Sequence, residues 1–279
     1  MNTKLVSTGW LAARLGTAGI RVADASWYLP QAGRNAKAEY AGAHIPGAVF
    51  FDIDAMSDET SPLPHMLPPA AKFAERAGKL GLGDDDMIVV YDGAGVYSSP
   101  RAWWMLRAMG HPGVVVLDGG LPKWRAEGRP LEAIAVTPSP RAFTAKPDPS
   151  ILRDLPQMMA NLGTHAMQVV DARGRARFLA LEAEPRPGVR GGHIPGSINI
   201  SYTQLTEPDG TLKSPDALRA LFAVKRADLN APLVTSCGSG VTAAIAMLAL
   251  EIAGAKQVAL YDGSWSEWGA SSDTPVETD

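Results

Sequence analysis

The chain repeats itself. His44-Ile45-Pro46-Gly47-Ala48 returns as His193-Ile194-Pro195-Gly196-Ser197, 149 residues later, and Arg21-Val22-Ala23-Asp24-Ala25 returns as Gln168-Val169-Val170-Asp171-Ala172 at a spacing of 147. Val116-Leu117-Asp118-Gly119-Gly120 with Trp124 reappears as Leu260-Tyr261-Asp262-Gly263-Ser264 with Trp268, 144 apart at the aspartate. The order is preserved and the spacing drifts by only a few residues. One unit has been duplicated, so whatever fold the chain takes it must take twice.

Each copy runs through the same elements. A short apolar run ends in Asp, the His-Ile-Pro-Gly turn follows, and a second apolar run comes later: Met87-Ile88-Val89-Val90-Tyr91 in one copy, Pro232 to Ser236 in the other. A helical stretch and a third apolar run complete the unit. Continuous apolar runs alternating with helices mark strands covered on both faces. The expectation is an α/β fold of two tandem domains, each a doubly wound, mainly parallel sheet with helices on both faces. The length of 279 residues suits two domains of about 100–150 residues each. Residues 1–128 form the first domain and 151–279 the second. Pro130, Pro138, Pro140, Pro147 and Pro149 mark 129–150 as an ordered, non-helical linker.

Bulk properties narrow the function classes. A net charge of −3 carries no polyelectrolyte signature, which argues against nucleic acid or an anionic membrane as partner. One cysteine excludes an intrachain disulfide framework and favours a reducing compartment. No apolar stretch reaches the length of a signal peptide's core or of a membrane span. A cytoplasmic, soluble protein is expected, and a monomer, since no heptads or exposed apolar stripe stand out.

That cysteine, Cys237, opens the loop Cys237-Gly238-Ser239-Gly240-Val241-Thr242 between an apolar strand and a helix-like stretch from Ala243 to Ile252. A glycine-bearing loop leading into a helix aims several backbone N–H groups at one spot and stabilises an anion there. A lone cysteine is usually a small buried hydrophobe; one at a strand's C-terminal end, ahead of glycines, reads as a reactive thiol. In the first copy Asp92 stands opposite Cys237 and begins a longer loop, Asp92 to Pro100. Chemistry is therefore expected in the second copy alone.

These residues resemble the two-domain sulfurtransferases of the rhodanese superfamily over nearly the whole chain. The resemblance rests on Phe50-Phe51-Asp52-Ile53-Asp54, both His-Ile-Pro-Gly turns, Pro100-Arg101-Ala102-Trp103-Trp104, Tyr261-Asp262-Gly263-Ser264-Trp265 with Trp268 and, most specifically, Cys237 to Ala243. The loop is similar to that of members taking 3-mercaptopyruvate as donor. Thiosulfate-preferring members carry basic residues directly after the cysteine, where this chain has Gly238 and Ser239. Arg177 and Arg186 match two family arginines that bind the donor's carboxylate, a task suited to a planar guanidinium. Near them the chain departs from the family, with Ala176 and Leu179-Ala180-Leu181 where a glycine and a Gly-Thr pair are usual. Arg173, Arg175 and Arg190 read as solvated or structural. A Ser-His-Asp arrangement carries over as Ser239, His65 and Asp54.

The resemblance implies that Cys237 takes the sulfur of 3-mercaptopyruvate as a persulfide and releases pyruvate. The N–H groups of Gly238, Gly240, Val241 and Thr242 would cradle the terminal sulfur. Cyanide, a thiol or reduced thioredoxin would then remove it. No cofactor is implied, and no ligand cluster has metal spacing. Two alternatives stay open: a thiosulfate:cyanide sulfurtransferase using the same intermediate, and a non-enzymatic sulfur-relay module. A cysteine phosphatase fits poorly, because its arginine six residues after the cysteine is Ala243 here.

Overall fold

The computed structural model describes residues 4–134 and 136–279. Its strands form two five-stranded sheets of one design. The first runs β1 (Leu5–Val6), β5 (Val114–Leu117), β4 (Met87–Tyr91), β2 (Ile20–Asp24), β3 (Val49–Phe50). The second runs β6 (Leu152–Arg153), β10 (Val258–Tyr261), β9 (Leu233–Ser236), β7 (Gln168–Asp171), β8 (Ile198–Asn199). All these pairings are parallel. The central strands are rich in Val, Ile and Leu and almost wholly buried, as strands packed on both faces require. Helix Val241–Ala253 is apolar around its full circumference and buried nearly throughout, which is stable only inside a core. Helix Ser99–Ala108 holds the matching place in the first unit and is equally buried.

Register sets where chemistry can sit. Asp24 pairs with Tyr91 and Asp171 with Ser236. Asp92 and Cys237, each one residue further on, therefore leave their sheets at the carboxyl edge, where open parallel sheets bind ligands.

The duplicated motifs outside this edge close each unit. In the first, His44 and Glu132 exchange backbone hydrogen bonds of 2.9 and 3.0 Å; in the second, His193 and Glu277 do so at 2.8 and 3.0 Å. The Glu132 carboxylate accepts from the Gly47 amide (2.5 Å) and Glu277 from Gly196 (3.0 Å). Trp124 Nε1 donates to Pro130 O and Trp268 Nε1 to Pro275 O, both at 2.8 Å. Gly47 and Gly196 take φ of 76° and 71°, a backbone region that glycine enters without a Cβ penalty. The repeated His, Gly and Trp thus lock a terminal segment onto each sheet.

Two compact units result, and they differ from a linear cut. The first comprises the described residues up to Glu59, Leu67–Asp148 and Glu207–Leu212; the second comprises Thr60–Met66, Pro149–Thr206 and Lys213–Asp279. The proline-rich stretch is bonded into the first unit through the Glu132 bridge, Thr144 N to Asp84 (2.6 Å) and Lys146 N to Met109 O (2.8 Å). Prolines bar it from a helix but leave its other amides free to bond. Among the described residues no helix is long and apolar enough to cross a membrane.

The two sheets end on different electrostatics. Asp171 meets Arg173 two residues on, whereas the corresponding Asp24 meets Ser26, whose N and Oγ lie 2.9 and 2.5 Å from Asp24 Oδ1. Burial raises the Asp24 carboxyl to about 6, against an opposing pull from the Ser26 bonds. Between its ordinary 3.8 and 6 the folded state holds a proton that the unfolded chain has released. Stability must fall as pH rises through that window. Asp24→Asn removes this loss, so its stability relative to wild type should rise by up to about 3 kcal/mol from pH 4 to 7.5. Urea midpoints at the two pH values test this, and a pH-independent difference would refute it.

Candidate active site

Cys237 follows β9 directly and is 2% exposed. Gly240, with φ of 79°, turns the chain into helix Val241–Ala253. The loop is gripped through its carbonyls. Cys237 O accepts from Trp265 N (2.9 Å), and Gly238 O accepts from Ser266 N (2.8 Å) and Ser266 Oγ (2.5 Å). In a trans peptide the next N–H points opposite the carbonyl. The amides of Gly238 and Ser239 therefore face away from Trp265 and Ser266, and they have no hydrogen-bond partner among the described residues. Cys237 N is itself bonded to Ser264 Oγ (3.2 Å).

The first unit shows what such a loop does. Asp92 is fully buried, and its carboxylate accepts from the amides of Ala94, Tyr97, Ser98 and Ser99 at 2.9–3.0 Å and from Ser99 Oγ at 2.6 Å. Copy one thus fills its anion nest with its own side chain. In copy two the residue at that register is a thiol.

Arg177, in the short helix Arg175–Phe178, lies against the loop: a Cβ built on Gly238 would come within 3.1 Å of its Nη2. A side chain at 238 would crowd the guanidinium in this position. Glu184 grips two of its nitrogens, Nε at 3.3 Å and Nη2 by a close ion pair. Nη1 has no partner among the described residues. Glu184 is held in turn by Arg173 Nη1 (2.8 Å), and Arg173 grips Asp171 (2.7 Å) and the Gly192 carbonyl (2.7 Å) while stacking on Trp265 (4.3 Å). Arg173 is structural and fully buried rather than solvated, and Arg190 is structural too, donating to four carbonyls and to Thr274 Oγ1. Arg186 is half-buried in the irregular segment after Leu181. Ala180, in the stretch where a Gly-Thr pair is usual in the family, adopts φ of 56°, a left-handed backbone that glycine enters more readily than alanine.

Ser239 and His65 meet: Ser239 Oγ and His65 Nδ1 are 3.0 Å apart, both residues buried. His65 holds φ of 63°, a costly conformation for a side chain of its size, of the kind that concentrates at functional sites. Asp54 belongs to the first unit, where its carboxylate accepts from Trp27 Nε1 (3.1 Å). Val241 is buried and Thr242 half-buried on the first helical turn. Trp265 is core, 1% exposed and bonded to Arg190 O (2.7 Å). Sequence reasoning missed Glu184, Ser264 and Ser266. Glu184 carried a signal, an acidic residue between two arginines that need orienting. Among the described residues, His193, Glu277 and Asp279 bring one ligand atom each within 4.8 Å, the spacing of a metal site, but two of them already form the closing clasp.

The second unit thus sets a buried thiol at the start of a loop whose first two amides are unbonded among the described residues, with an arginine held by a buried acid against that loop. Residues 7–127 and 154–271 each match the model of the Rhodanese-like domain, and the chain belongs to that family, as a two-domain sulfurtransferase. It is 48% identical to the human 3-mercaptopyruvate sulfurtransferase over 95% of this chain and 91% of the relative. The thiosulfate sulfurtransferase of Cricetulus griseus is 45% identical, with the same two coverages. The crystal structure of SseA from Escherichia coli, described as a 3-mercaptopyruvate sulfotransferase, superposes with a TM-score of 0.87 at 42% identity, covering 94% of this chain and 99% of that one.

Proposed function

We propose that the chain transfers the sulfur of 3-mercaptopyruvate, through a persulfide on Cys237, to cyanide or a thiol such as that of reduced thioredoxin. Relatives named for either donor match it at similar identity, so the donor has to be argued from the site. The observation that carries the reading is Arg177 Nη1, which has no partner among the described residues, beside a loop that has no cation of its own at Gly238 or Ser239. One nitrogen with its two N–H donors suits the oxygens of a carboxylate or keto group; a small dianion needs positive charge beside the thiol.

In the first step the Cys237 thiolate attacks the donor sulfur. A S–S bond forms, the C–S bond breaks, and its electron pair leaves with the carbon as pyruvate enolate. Arg177 and Arg186 hold the carboxylate and the enolate oxygen. The enolate takes a proton along Ser239 and His65, with Asp54 assigned to orient the imidazole. The amides of Gly238, Gly240, Val241 and Thr242 cradle the terminal sulfur. In the second step the acceptor attacks that sulfur and Cys237 leaves as thiolate, giving double-displacement kinetics. The enzyme acts as a cytoplasmic monomer in this proposal.

Steady-state rates with the two donors test it. Mercaptopyruvate should show the higher kcat/KM; a higher value for thiosulfate would establish the other donor. Arg186→Gly should raise the KM for mercaptopyruvate about tenfold with a smaller change in kcat, as loss of ground-state carboxylate binding does. An unchanged KM would remove Arg186 from the donor site.

A further inference from the structure

Glu184 is an odd neighbour for a site that binds anions. Its side chain is 4% exposed, and it sits on the guanidinium that lies against the cysteine loop. A buried carboxylate here weakens the attraction of Arg177 for any anionic donor. Its removal from water is compensated by two arginines, Arg173 and Arg177. Within the buried chain Asp171–Arg173–Glu184–Arg177 the formal charges cancel.

From this arrangement we infer that Glu184 is a specificity-determining positioning residue: it neutralises Arg177 while aiming Nη1 at the donor, so that the site selects a monoanion with directed oxygens over a compact dianion. This rests on the proposed function for the identity of the donors. The first unit offers a contrast. Arg34 there pairs with Glu39 through Nε (2.9 Å) and Nη2 (2.5 Å), and its Nη2 also donates to Gly93 O (3.1 Å). Arg34 is tied to its own loop carbonyl. In the second unit that carbonyl, Gly238 O, is taken by Ser266 instead, and Arg177 pairs with Glu184 alone among the described residues.

Glu184→Gln keeps an oxygen for Arg173 Nη1 and removes the negative charge. Both donors gain attraction, but thiosulfate gains one more charge–charge interaction than mercaptopyruvate. The ratio of kcat/KM for thiosulfate to that for mercaptopyruvate should therefore rise roughly tenfold. The gain should appear mainly as a lower KM for thiosulfate. Glu184→Asp keeps the charge and shortens the arm; it should leave the ratio within about twofold of wild type while raising the KM for mercaptopyruvate. If both donors fall in parallel in Glu184→Gln, Glu184 is only structural and the inference fails. The same holds if the ratio moves equally in both variants. The wild-type preference settles the donor separately, because the inference is read from the direction in which the ratio changes.

Discussion

Cys237→Ser is expected to abolish sulfur transfer, lowering kcat/KM by at least about three orders of magnitude with either donor. The argument is chemical. A serine oxygen at this position cannot store sulfur as a reducible S–S bond, and the chain has no other cysteine to take over. The fold should tolerate the change, because the loop is held through the carbonyls of residues 237 and 238 by Trp265 and Ser266, contacts that a serine leaves in place. The decisive measurement is the intact mass of protein incubated with donor and no acceptor. Wild type should gain one sulfur atom and Cys237→Ser none. Appreciable activity in the serine variant, or a sulfur-bearing adduct on it, would overturn the mechanism as a whole.

Much of this was legible because duplication and burial both write on sequence. Strands packed on two faces must be continuous apolar runs, so β4, β5, β9 and β10 stand out. The His-Ile-Pro-Gly turns recur because the same backbone closes both units. Setting the copies side by side isolated Cys237 by its difference from Asp92, and the structure gives that difference a meaning in the filled nest. The edge strands β1, β3, β6 and β8 span two residues each, too short for any period to register. Glu132 and Glu277 also went unread, although they repeat as the motifs do, because a bridge to a distant turn leaves no local pattern. The segments 60–66 and 207–212 group with the unit on the far side of them in sequence, a choice made by tertiary packing. Most telling is the charge network. Arg173, Arg177 and Glu184 lie in a stretch without periodicity, and only the folded chain decides that one arginine is buried and another has a nitrogen without a partner among the described residues.

Arg173→Met should be the most destabilising single change at the site. The methionine refills most of the volume over Trp265, so packing loss is modest, but it strands charge. Asp171, whose side chain is 2% exposed, loses three contacts of 2.7–3.2 Å from the guanidinium, and the Gly192 carbonyl loses its donor. Breaking a buried pair from one side costs about 3–5 kcal/mol, because the remaining ion is left desolvated without its counter-charge. For units of this size that is a fall of roughly 10 °C in thermal midpoint. Glu184 keeps Arg177 but loses its anchor, so the KM for the donor should rise even where the protein remains folded. Adding Asp171→Asn removes the stranded carboxylate and should recover about half of the lost stability, since a pair deleted from both sides costs far less than one deleted from one. Activity should not return with it, because Glu184 still lacks its partner. A single variant within 1 kcal/mol of wild type, or a double variant less stable than the single, would show that Arg173 holds the site by packing on Trp265 rather than by charge.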